Sequence, residues 1–227
     1  MQDAGAEEQA KRLVGYRAVD AFVRPDTCIG LGTGSTAYWA IQRVGELVSG
    51  GARLRAVATS LETERLCREA QIPLVPFDAE PIDVAIDGAD EAAPDRSLIK
   101  GGGGALFREK AVAIAARAFI VIVTERKLVP QLGAFALPVE VVPFSLRYVK
   151  REVEELGATV AVRERDGTPF VSDNGNAILD CAFGAIPDPG GLDLQLRALH
   201  GVVASGVFVG IAARVLVANV DGSTVEY

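Results

Sequence analysis

The chain contains a single histidine, His200, one methionine, one tryptophan and three cysteines. One histidine rules out a multi-histidine metal site, and any serine or cysteine triad would have to use that residue as its base. His200 follows the apolar helical run LDLQLRAL and precedes Gly201. That position suits the C-terminal end of a helix better than a catalytic role. Cys28, Cys67 and Cys181 are odd in number and widely spaced, without a disulfide framework or a zinc pattern. This is the cysteine usage of a reducing, cytoplasmic compartment. No basic run occurs and the net charge is −7, so a nucleic-acid surface is not expected. The first residues, MQDAGAEEQAKR, are acidic and polar, unlike a signal peptide. The longest apolar runs are broken by Arg117 and Arg214, and no segment reads as a membrane span.

What is present is a 227-residue chain, nearly half apolar and rich in Ala and Val, long enough to bury a large core. Residues 6–22 carry a broad apolar helical stripe. Short apolar strands are expected at 27–31, 54–58, 72–77, 82–86 and 119–123, alternating with helices. Unbroken apolar strands separated by helices indicate a mostly parallel, Rossmann-like sheet covered on both faces, an α/β fold. From Gly133 the pattern changes to strands joined by tight turns, including DGTP and an Asn-Gly turn in VSDNGNAILD. This predicts a small inserted α+β domain at 133–208, within an α/β domain formed by 1–132 and 209–227. GVFVG and ARVLVANV are expected to return to the first sheet.

Three stretches carry candidate chemistry. GLGTGST (30–36) joins a strand to a helix. Ser35 stands where a dinucleotide fingerprint needs its third glycine, no acid ends the following strand, and no P-loop lysine is present. There remain backbone donors and the hydroxyls of Thr33, Ser35 and Thr36 at a helix start, which suits a single phosphate ester. A tight turn capping a helix is the plain alternative. DGADE (87–91) follows a buried strand, where open α/β sheets bind ligands. Asp87, Asp90 and Glu91 could hold Mg²⁺, recognise hydroxyls, move a proton or form a solvated acidic loop.

The third stretch, KGGGGALFREK (100–110), feeds four glycines into a helix. Glycines let a ligand approach bare N–H groups, and a helix start attracts anions. Glu109 lies one turn into that helix on a flank with Leu106 and Ala113. A carboxylate desolvated there would gain basicity, and Lys100 supplies positive charge for a developing oxyanion. Lys127, beyond the strand FIVIV, is either a surface lysine or a contact to substrate.

Taken together, GLGTGSTA, DGADE, LIKGGGGALFREK, PVEVVPF and VSDNGNAILD make the chain resemble the type A ribose-5-phosphate isomerases, from the N-terminal helix to the last strands. The resemblance implies interconversion of D-ribose 5-phosphate and D-ribulose 5-phosphate through an enediolate, within the non-oxidative pentose phosphate pathway and without metal or cofactor. It implies Glu109 as the base, with Lys100 and Asp87 assisting ring opening and steadying the oxygens. It implies substrate contacts from Thr33, Gly34, Ser35 and Thr36 near the phosphate. Asp87, Gly88, Ala89, Asp90, Lys100, Gly101, Gly102 and Gly103 would line the sugar, and Lys127 would touch the ligand. A small-molecule sugar phosphate is the partner, and a cytoplasmic homodimer, or a dimer of dimers, is the expected form. Phe107, beside the proposed base, departs from the family pattern and would either crowd the site or merely pack. Two other architectures stay in view. A coenzyme A transferase-like enzyme would use the glutamate as nucleophile, and a sugar-phosphate sensor domain would bind without catalysis.

Overall fold

The computed structural model describes residues 2–227. In chain order the elements are α1 (Gln2–Phe22), β1 (Cys28–Leu31), α2 (Ala37–Ser49), β2 (Arg55–Ala58), α3 (Leu61–Glu69), β3 (Val84–Asp87), β4 (Glu91–Ala92) and β5 (Leu98–Ile99). There follow α4 (Leu106–Ala115), β6 (Phe119–Thr124), β7 (Leu137–Val141), α5 (Leu146–Glu155), β8 (Thr159–Val162), β9 (Glu164–Arg165), β10 (Thr168–Pro169) and β11 (Ala177–Ala182). The chain ends with α6 (Pro189–Ala198), β12 (Val202–Ser205), β13 (Val207–Phe208), β14 (Arg214–Ala218) and β15 (Thr224–Glu226). Two compact units result, one of residues 1–89, 108–128 and 211–227, the other of 90–107 and 129–210. The second unit thus includes 90–107, which the sequence pattern leaves in the α/β domain.

The first unit is built on a six-stranded sheet of order β15-β14-β6-β3-β1-β2. All its neighbouring pairs are parallel except the β14–β15 hairpin. Its strands are short, and β1, β3 and β6 are wholly buried, as β-branched runs such as FIVIVT require when both faces are covered, whereas the edge strand β15 is mostly exposed. Ile29 and Leu31 share one buried cluster with Val14 and Ala18 of α1 and Ala40 and Val44 of α2. Gly30 points to the other face, where Val112 of α4 fills the place a β-carbon would take. Period-2 alternation in β1 therefore puts helices on both faces, as expected.

The second unit holds a four-stranded antiparallel sheet, β12-β7-β11-β8, and a three-stranded one, β13-β5-β4. Val149 and Val153 of α5, one turn apart, face a core with Val139, Val141, Leu179 and Leu196. The expected Asn-Gly turn forms with Gly175 at φ +80°. It is tied down by Glu140, fully buried on β7, whose Oε1 accepts from Ser172 Oγ (2.8 Å), Asn174 Nδ2 (3.1 Å) and Asn176 Nδ2 (2.9 Å). A buried carboxylate needs such donors, so two of the sequence motifs meet here for stability.

Two expectations are corrected. GVFVG does not return to the first sheet: β13 pairs with β5 in the second unit, and only ARVLVANV, as β14, joins β6. Segment 72–77 forms no strand beyond a single bridge, Ala56 to Leu74, because Pro73 and Pro76 lack the N–H a ladder needs. His200 is exposed in the turn after α6.

All three cysteines are buried, and burial pushes the Cys28 thiol up to about 11 and those of Cys67 and Cys181 to about 12. Native protein should leave Ellman's reagent unreacted at pH 8, and denatured protein should release three equivalents of thiolate chromophore. The folded chain keeps these protons above pH 9, where an exposed thiol with a pKa of 9.0 releases them. The thiols' stabilising contribution is therefore complete below pH 9 and lost as pH rises toward 11–12, which urea melts across that range would show.

Candidate active site

In the first unit, parallel pairing brings the carboxyl ends of β1, β2, β3 and β6 to one edge, where such sheets bind ligands. The turn 32–36 leaves β1 there and opens α2, with Tyr38 N–H donating to the Gly34 carbonyl (2.9 Å). Gly34, at φ +109° with open space where a β-carbon would lie, and Ser35 are exposed, while Thr33 and Thr36 are half-buried. Bare backbone at a helix start remains fit for a phosphate. Thr36 makes no side-chain cap to α2.

The Thr33 hydroxyl is turned inward. It lies 2.8 Å from Ser60 Oγ, 2.9 Å from Thr59 Oγ1 and 3.1 Å from Thr63 Oγ1. Ser60 donates to Thr63 (3.0 Å), Thr63 to the Gly32 carbonyl (2.8 Å), and Thr59 to the Leu31 carbonyl (3.1 Å). Ser60 also caps α3 by accepting from Thr63 N–H (3.0 Å). These hydroxyls brace the turn from below. A hydroxyl-rich strand end, ATS, was the only sequence signal of them.

Asp87, 3% exposed at the end of β3, accepts at Oδ1 from the N–H groups of Thr33 (3.1 Å) and Gly88 (2.7 Å). A β-carbon on Gly32 would overlap this carboxylate, so glycine is required there for close approach. Gly88 lies beside Thr36 and the Ile122 carbonyl, and Gly88 and Ala89 are half-buried. Glu109 sits in the first turn of α4 and is 4% exposed, whereas Phe107 is 41% exposed. Lys127, half-buried, ends the 3₁₀ turn Glu125–Lys127 after β6. Near it, Thr124 Oγ1 donates to Glu7 Oε1 (2.6 Å).

In the second unit, Lys100 follows β5, is 2% exposed, and holds its ammonium 5.6 Å from the centre of the Phe208 ring. Its backbone N–H donates to the Gly206 carbonyl (2.9 Å). Gly101 (φ +98°) and Gly104 (φ +89°) occupy left-handed conformations, and the Phe170 ring fills the place of a Gly104 β-carbon. Gly102, half-buried, donates its N–H to Asp90 Oδ2 (2.7 Å), and Gly103 is exposed. Glu91 accepts from the N–H groups of Gly133 (2.7 Å) and Phe135. The acids of DGADE thus serve backbone donors: Asp87 anchors the β1 turn, Asp90 the glycine turn, and Glu91 a distant loop.

The family model for ribose 5-phosphate isomerase A (phosphoriboisomerase A) matches residues 55–222. A relative of that name from Bacillus mycoides is 43% identical over 93% of this chain and 96% of its own length. One from Methanothermobacter thermautotrophicus is 46% identical over 93% and 95%. Among solved structures, the ribose 5-phosphate isomerase of Plasmodium falciparum superposes with a TM-score of 0.92 at 35% identity, covering 97% of this chain and 98% of that one. A D-ribose-5-phosphate isomerase in complex with phospho-erythronic acid gives 0.93 at 37%, with the same coverage. On this likeness, which runs nearly end to end, the chain belongs to the ribose 5-phosphate isomerase A family.

Proposed function

We infer that this chain interconverts D-ribose 5-phosphate and D-ribulose 5-phosphate. The observation that carries the reading is 43–46% identity to relatives named for that activity over almost the whole chain. The residue chemistry supports it: a buried carboxylate at a helix start, a buried lysine and two turns of bare backbone donors. Glu109 takes the proton from C2 of the open-chain aldose, and the bond electrons form the C1–C2 double bond of an enediolate while O1 gains charge. The O2 proton passes to O1, which becomes the C1 hydroxyl, the C2 carbonyl forms, and Glu109 returns its proton to C1. Lys100 steadies the charged oxygen and Asp87 assists ring opening. Thr33–Thr36 hold the phosphate through backbone N–H groups and the Ser35 and Thr36 hydroxyls. Gly88, Ala89, Asp90 and Gly101–Gly103 line the sugar, and Lys127 meets the ligand.

A coupled assay of ribulose 5-phosphate formation tests this directly. Activity should appear without added metal and persist in EDTA. Inhibition by EDTA that Mg²⁺ reverses would instead favour a metal at Asp87 and Asp90. The same reading carries a homodimer in the cytoplasm, within the pentose phosphate pathway. Light scattering should give twice the 23.9 kDa chain mass, or four times for a dimer of dimers.

A further inference from the structure

Arg163 follows β8 in the second unit, with its side chain 12% exposed. Its guanidinium forks onto Asp180: Nε donates to Oδ2 (3.0 Å) and Nη2 to Oδ1. The remaining nitrogen, Nη1, donates to the carbonyls of Gly101 (2.9 Å) and Gly102 (3.1 Å), some sixty residues earlier in the chain. Phe170, whose N–H donates to the Arg163 carbonyl (2.9 Å), places its ring 5.9 Å from the guanidinium and against Gly104. One arginine therefore grips the four-glycine turn from a single side.

The consequence follows from the planar trans peptide, in which C=O and the next N–H point in opposite directions. With the Gly101 carbonyl on Arg163, the Gly102 N–H faces away from it, and there it meets Asp90 Oδ2. With the Gly102 carbonyl on the same nitrogen, the Gly103 N–H is turned to that same far side. Glycines have no intrinsic preference that would keep these planes so oriented. Asp180 fixes the guanidinium bidentately, which a lysine ammonium could not reproduce.

We propose that Arg163, locked by Asp180, is a positioning residue for the isomerisation: it orients the Gly102–Gly103 peptide so that the Gly103 N–H donates to an oxygen at the reacting end of the sugar. This rests on the proposed function. Arg163 touches no substrate itself. It preorganises a donor, and loss of a comparable backbone or amide donor costs about 10²–10³ in rate.

The test uses the full-length chain with Arg163→Ala, Arg163→Lys and Asp180→Asn, the last two keeping most of the packing should the alanine variant fail to fold. Both arginine variants should lose about 10²-fold in kcat while KM stays within about threefold. Asp180→Asn should fall between them and wild type. Phospho-erythronic acid, whose carboxylate needs the donor, should bind at least about tenfold more weakly, while inhibition by inorganic phosphate changes less than about twofold. Methylguanidinium should restore part of the Arg163→Ala loss. Wild-type kcat in both folded arginine variants, or equal weakening of phospho-erythronic acid and phosphate, would overturn the proposal. An inactive wild-type chain would overturn the functional reading itself, so the two failures are separable.

Discussion

Replacing Glu109 by Gln should lower kcat by about 10²–10⁴-fold while the affinity for phospho-erythronic acid stays near that of wild type. The two side chains have the same shape, so the helix start is kept and only the ability to take a proton from carbon is lost. Glu109 is 4% exposed in the first turn of α4, where an anion also interacts well with the helix N-terminus. Stopped-time assays with purified variant protein, alongside binding of the analogue by calorimetry, read the two effects separately. Full activity in Glu109→Gln would remove Glu109 as the base. Equal loss of binding and turnover would make it a structural residue.

The second large effect is expected from Gly32→Ala, one methyl group added to a turn. Its β-carbon would overlap the Asp87 carboxylate, which is buried and accepts from Thr33 and Gly88 N–H. Asp87 cannot retreat without leaving those donors unpaired. Overpacking of this kind costs about 1–3 kcal/mol in stability. The kinetic cost should be larger than stability alone predicts, because one displacement disturbs both the phosphate turn and the acid proposed for ring opening. KM should rise and kcat fall together, about tenfold or more each. Gly34→Ala is the matched comparison: it strains a φ of +109° but meets open space, so Asp87 stays in place. If Gly32→Ala turns over like wild type, Asp87 does not couple the two regions.

Much of the fold was legible because its signals are local. The β-branched run FIVIVT reads as a doubly buried strand and forms one, and Ser60, a residue type that favours helix starts, caps LETERLCRE. The parts that were not legible depend on partners far along the chain. GVFVG has the same apolar character as a strand of the first sheet, but β5, more than a hundred residues earlier, is its partner. Pro73 and Pro76 were visible, but their effect in removing all but one bridge depends on the sheet edge they meet. At the site, composition and spacing pointed to a phosphate turn, an acidic strand end and a carboxylate beside glycines. Roles for individual residues came from the family resemblance. The inward turn of the Thr33 hydroxyl and the grip of Arg163 on the glycine turn escaped both, since a hydroxyl or an arginine carries no mark of which long-range partner it will find.

The first unit is assembled from three separate stretches of chain, and this has a consequence for how the protein is made. β14 lies between β6 and β15, pairing with β6 across five residues, yet residues 129–210 are synthesised between β6 and β14. During translation the second unit's strands are all available before the first sheet can be closed, and β6 waits as an open edge until β14 has been made. High sequence separation of this kind slows folding. A nascent chain halted before Arg214 would carry the whole glycine turn and Glu109, but expose the apolar edge of β6 to any neighbouring strand.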